Sequence, residues 1–234
     1  MQSQLYHPQT DNFAPTPILD YQSQLVKDAV DNLDGKSTYP LGFVQASHQY
    51  ILHAVNPIYS IDEFQPVSVT LEKGKGSCSQ RMACLEAFCR AGKIATRGRG
   101  LWISGHFWYP RFRYVKQFIP KRVLLSWPQF YLNEVWVDFD ELFVSPANIN
   151  GSAIGFTNAD ETLFEAVTTT AVDFLGKSRS CNSNCSAAVD LSPFVLEDAG
   201  FFNTRDELYN ELGSLQYSLK GRAFEFIFGG RKSC

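Results

Sequence analysis

The order of hydrophobic patterns along the 234 residues predicts an α+β fold: a cysteine-bearing helix packed on a small antiparallel sheet, with a helical extension at the C-terminal end. Three observations carry this reading. Apolar residues recur at three- and four-residue steps through 18–33 and again through 40–55. A glycine-rich approach ending in Ser77 opens a further helix at Cys78, and short segments rich in β-formers follow between 94 and 139.

Residues 1–18 are polar, punctuated by Pro8, Pro15 and Pro17, and read as an arm lying on the body or on a partner. In the first helix Ile18, Tyr21, Leu25, Ala29, Val30 and Leu33 form one stripe, which Asp34-Gly35 ends. Phe43, Val44, Ile51, Leu52 and Val55 make the second, stopped by Asn56-Pro57; His48 and His53 fall on it as core or surface residues. From Cys78, the residues Met82, Leu85, Phe88 and Cys89 repeat as a buried face up to Gly92. The segments 94–103, 106–111, 123–132 and 135–139 read as strands. Beyond Pro146 a helical stripe returns (Leu163, Phe164, Val167, Ala171, Val172, Leu175), and Thr204 with Glu207 forms a capping box for another helix. The predicted organisation is an arm over 1–18, a core over 19–146 and a helical extension over 147–234 packed on it. There is no internal repeat and no low-complexity tract.

With 44% hydrophobic and 19% charged residues the chain has material for a sizeable core and none of the bias of bulk disorder. Its formal charge of −3 is the wrong balance for an electrostatic grip on nucleic acid. No apolar window of about 18 residues and no basic, apolar N-terminus is present, so the expectation is a cytoplasmic protein without a membrane partner. The six cysteines are expected as reduced thiols. Cys181 and Cys185 lack a matching second Cys/His pair, which argues for a loop or a disulfide formed on handling rather than zinc; no metal or cofactor is called for.

A cysteine in the first turn of a helix meets unpaired N–H groups and the positive end of the dipole, which favour the thiolate and can also hold an oxyanion. Spacing alone leaves an equal reading, in which Cys78 is a small buried residue after a glycine-rich turn.

Resemblance separates the two. Gly74-Lys75-Gly76-Ser77-Cys78-Ser79-Gln80, followed by Ala91-Gly92-Lys93-Ile94-Ala95-Thr96-Arg97, resembles the glycine–cysteine helix and next strand of the transglutaminase-like superfamily, a papain-like fold. Ser126-Trp127 through Trp136-Val137-Asp138-Phe139-Asp140 is similar to that family's histidine strand and aspartate strand. The resemblance implies a triad at Cys78, Ser126 and Asp140, with Asp138 as a possible substitute for Asp140. Ser126 stands where the family has its histidine, and a hydroxyl cannot serve as a general base near neutral pH. Two repairs are open: His106, on an expected hairpin beside the Ser126 strand, supplies the imidazole, or a thiolate attacks an already activated thioester without one. On the substrate side the expected residues are Arg97, Trp108, Trp127 and Gln129, with Arg81 and Arg99 as further cations near the site. Trp108, Tyr109, Phe112, Trp127, Phe130 and Tyr131 line an acyl pocket or belong to the core. Lys116, Lys121 and Arg122 suit a phosphate-bearing carrier.

What the family implies for function is cysteine-dependent acyl transfer through acyl-Cys78, on a small-molecule or carrier-protein-bound thioester in bacterial specialised metabolism, with an amine or water as acceptor. The alternatives are a catalytically silent binding or scaffold protein and an amidase or cysteine protease. The sequence sets no oligomeric state.

Overall fold

The structure is a computed structural model and describes residues 7–33, 39–143, 156, 158, 161–169, 172–173 and 189–233. Cys181, Cys185, Ala171 and Leu175 lie outside the described residues.

Helix α1 (Gln24–Asp31) starts later than its hydrophobic stripe because Ser23 caps it, accepting from the Val26 N–H, while Ile18 and Leu19 are buried in the turn ahead. Helix α2 (Pro40–Ala54) begins on a proline, whose missing N–H costs nothing at that position, and buries Val44, His48 and Ile51. Helix α3 (Val67–Lys73) is too short to show a stripe in the sequence and ends at Gly74, whose φ of 58° favours glycine. Helix α4 (Cys78–Ala91) opens on a reciprocal capping box: Ser77 Oγ accepts from the Gln80 N–H and Gln80 Oε1 accepts from the Ser77 N–H. Every residue from Ser79 to Arg90 is buried, so α4 is the central helix, with α1, α2 and α3 packed around it.

The sheet that α4 lies against has its strands in the order Val135–Asp138, Arg122–Leu132, Thr96–Ser104 and Val195–Phe202, all neighbours antiparallel. Strand β1 (Thr96–Ser104) pairs along its length with β2 (Arg122–Leu132), Thr96 opposite Phe130 and Ser104 opposite Arg122. Asn133 and Glu134, with φ of 49° and 66°, turn the chain into β3 (Val135–Asp138). The 106–111 segment is not a strand: Gly105–Trp108 is a 3₁₀ turn, in which Ser104 Oγ accepts from the His106 N–H at 3.4 Å. Gly105 lies so close to the neighbouring chain there that a Cβ would be 2.0 Å from the Pro120 carbonyl oxygen.

The C-terminal segment adds helices α5 (Leu163–Thr169), α6 (Arg205–Leu212) and α7 (Leu219–Phe228), and also a strand. Strand β4 (Val195–Phe202) forms the sheet edge beside β1 with two register shifts. The extension therefore shares the core's sheet, which its mixed Glu-Asp-Ala-Gly sequence did not announce. Residues 11–14 of the N-terminal arm lie on the body. Asn12 is buried and donates to the Thr96 carbonyl, and the Arg90 guanidinium of α4 donates to the carbonyls of Asp11, Ala14, Thr96 and Asn203.

Candidate active site

Cys78 is the first residue of α4 and is half-buried. Capping engages the N–H groups of Ser77 and Gln80; those of Cys78 and Ser79 have no partner among the described residues. The cysteine lines a cavity of about 160 Å³. Ile58 and Ile61 form one wall, the turn after β1 brings Phe107, Trp108 and Phe112, and Leu124, Leu125, Leu163 and Phe224 close it from β2, α5 and α7.

Few polar groups break this apolar lining. Arg111 is anchored by backbone: its Nε donates to the Asn158 carbonyl at 3.2 Å, Nη1 to the Ser233 carbonyl at 2.5 Å, and Nη2 to that of Glu161. Glu63 Oε2 accepts from Ser79 Oγ at 2.5 Å and from the Tyr209 hydroxyl at 3.0 Å; burial raises its carboxyl above the usual range. Behind them Arg205, the first residue of α6 and fully buried, donates to Glu86 Oε1 at 2.6 Å, to Ser79 Oγ at 3.0 Å and to the Ser126 carbonyl at 3.2 Å. One guanidinium thus ties the start of α4 to β2.

Burial pushes the Cys78 thiol up to about 12 and Glu165 adds to the rise, while Arg81 and a hydrogen bond from the Phe164 backbone act the other way. The sequence led us to expect a thiolate favoured by the helix start. Desolvation outweighs the dipole here, and Arg81 is itself engaged by Glu165 and stacked on the Phe164 ring. The resting cysteine is a thiol.

Comparison with protein families decides what this helix-and-sheet arrangement is: a model described as the transglutaminase-like superfamily matches residues 27–141, from α1 to the turn after β3. Over that span the chain is similar to the transglutaminase-like superfamily. Members of this superfamily commonly carry out cysteine-dependent acyl transfer or hydrolysis. No curated protein and no solved structure matches the chain.

Within the transglutaminase-like core, Cys78 lines the cavity while Ser126, His106 and Asp140 do not. Ser126 is fully buried on β2 opposite Gly100, and its Oγ has no hydrogen-bond partner among the described residues. A Cβ at Gly98 would sit 2.8 Å from that Oγ, so the glycine leaves the hydroxyl its room. His106 is exposed in the 3₁₀ turn, its ring 4.7 Å from that of Tyr109; the expected hairpin that would bring it to Ser126 is absent because the chain turns at Gly105. Asp140 is half-buried in the 3₁₀ turn Phe139–Glu141, and Asp138 is buried, accepting from Gln129 Nε2 at 2.7 Å.

Of the expected substrate-side residues, Trp108 lines the cavity. Arg97 donates to Gln129 Oε1 at 2.7 Å, and its guanidinium lies over the rings of Trp136 and Phe201 at 4.2 and 4.0 Å, so Arg97, Gln129 and Asp138 form a row across β1, β2 and β3. Trp127 is core, its ring 5.4 Å from Phe139. Arg99 pairs with Asp198 of β4. His48 is buried away from the cavity, donates Nε2–H to the Phe164 carbonyl at 2.7 Å, and burial lowers it to about 4, so it is neutral. Among the described residues no group of His, Cys, Asp and Glu is arranged to hold a metal, and no helix is long and apolar enough to cross a membrane.

Three residues of the site escaped the sequence reading. Glu63 sits in a segment with no period, and Arg111 ends the 106–111 segment that reads as a strand, where nothing local marks either as part of a site. Arg205 had a signal that went unused, since the Thr204 cap places it at the first turn of α6.

Proposed function

We propose that Cys78 accepts an acyl group from a thioester whose apolar chain occupies the cavity, and passes it to an amine or to water. The observation that carries this reading is a half-buried thiol at the first turn of α4 that opens on an apolar cavity. Sγ attacks the thioester carbonyl carbon, the donor's C–S bond breaks, and the Cys78 proton leaves on the donor's sulfur. One thiol replaces another, so the step closes without net charge. The N–H groups of Cys78 and Ser79 receive the carbonyl oxygen while it carries negative charge.

A protonated resting thiol and a lining without histidine among the described residues favour a thioester over an amide donor. The amine leaving an amide must be protonated, whereas a thiolate leaves on its own. A carrier-bound thioester is a donor of this class. The same two observations favour a second reading, a protein that binds apolar acyl compounds without turning them over. Incubation with octanoyl-N-acetylcysteamine followed by intact-mass spectrometry separates the two. An octanoyl adduct on the wild type that is missing from Cys78→Ala is the expected result; no adduct on a wild type whose cavity still takes up an apolar fluorophore means the binding protein.

A further inference from the structure

We propose that the face outside the cavity, built from residues 111–122 and α7, docks on an anionic lipid surface. Delivery of the acyl donor from that surface rests on the reading of Cys78 above; the docking does not. The two segments wall the cavity from inside through Arg111, Phe112, Ile119, Pro120, Gly221 and Phe224, and Phe112 packs edge-on against Phe224 at 5.3 Å. Their outer side carries large, strongly exposed apolar side chains: Tyr114 is 97% exposed, Phe226 93%, Leu219 85%, and Tyr217 just ahead of α7 74%. On α7 the outward residues Leu219, Ala223 and Phe226 follow helical spacing, while Phe224 and Phe228 face Phe112. A helix apolar on both sides at a protein surface marks a contact still to be made.

Charge identifies that contact. No Asp or Glu occurs between Glu86 and Glu134, and residues 213–233 contain only Glu225, whose carboxylate is held by Ser60 Oγ and the Ile61 N–H. Exposed Arg113, Lys116, Lys121, Lys220 and Arg222 stand among the aromatic rings. In a chain of formal charge −3 this face is a local cationic patch, which turns it toward a negative surface. Rings that protrude this far suit the fluid boundary of a bilayer, where they insert while the cations meet lipid phosphates. An acidic protein would answer the cations but would need a separate socket for each ring. The contact is interfacial, which the lack of a spanning helix among the described residues leaves open. It sets the cavity walls against the bilayer, so that an apolar chain passes between them without crossing water.

Co-sedimentation with vesicles tests this. The wild type is expected to bind phosphatidylglycerol–phosphatidylcholine vesicles, to release with added salt, and to leave pure phosphatidylcholine unbound. Lys220→Gln with Arg222→Gln should weaken binding about twenty-five-fold, roughly fivefold per cation, and Leu219→Ser with Phe226→Ser about tenfold or more. Neither pair touches the cavity lining, and both should leave acylation by soluble octanoyl-N-acetylcysteamine unchanged. Cys78→Ala should bind vesicles like the wild type, so loss of acylation and loss of docking report separately. A wild type that ignores anionic vesicles, variants that bind equally well, or sedimentation velocity showing a dimer that Phe226→Ser dissolves would each overturn the docking.

Discussion

At Cys78 two effects of opposite sign act on one side chain. The helix start favours the thiolate by a fraction of a kcal/mol to about 2 kcal/mol, while burial and Glu165 hold the proton on until about pH 12. Iodoacetamide reads the outcome, because the thiolate is the nucleophile. Labelling of Cys78 near pH 7 is expected to be slower than that of a cysteine in a short peptide, and to rise about tenfold per pH unit in the alkaline range. Glu165→Gln removes the carboxylate that adds to the rise and should speed labelling at neutral pH. Cys84 and Cys89 are fully buried, so a tryptic digest assigns the label. A neutral-pH rate equal to that of the peptide would show that burial does not control this thiol.

Among the secondary-structure elements, the one that matters most to the site is the first turn of α4. Ser77→Ala removes the acceptor for the Gln80 N–H and is expected to cost about 1 kcal/mol in urea unfolding; Ser77→Asp, which keeps an acceptor, should recover most of it. This element was legible in the sequence because glycine, a capping serine and a Gln three residues later are local signals that tertiary packing only reinforces. Strands β2 and β3 were legible for a similar reason, as β-formers on either side of a two-residue turn. Strand β4 was not. It is an edge strand with exposed Leu196, Glu197 and Asp198, and its pairing depends on β1, far away in sequence. The 106–111 segment failed the other way: Trp108 and Tyr109 are β-formers, but the close approach of Gly105 to Pro120 fixes a turn that no local rule foresees. The motif marked Cys78, which lines the cavity, whereas Glu63 and Arg111 reach it from loops, and Arg205 bonds to Ser79 behind it from a helix start, a set that only the folded chain brings together.

For the whole molecule the decisive tie is Arg205, which joins α6 to Glu86 and Ser79 of α4 and to the Ser126 carbonyl of β2. Arg205→Met leaves the Glu86 carboxylate buried without its cation and is expected to destabilise the fold by about 3–5 kcal/mol, read as a lower urea midpoint. Adding Glu86→Leu removes the orphaned charge and should restore most of that loss; failure of the double variant to recover would show that the bonds to Ser79 and Ser126 matter more than the ion pair. The superfamily match ends at residue 141, yet α6 and α7 complete the site. The chain is made from its N-terminus, so Cys78 emerges from the ribosome well before Leu215, Phe224 and Ser233, which help to wall it in. Until they dock, the wall around the sulfur is incomplete. The period in which Cys78 is most open to oxidants and alkylating agents is therefore its own synthesis, and closure of the cavity ends it.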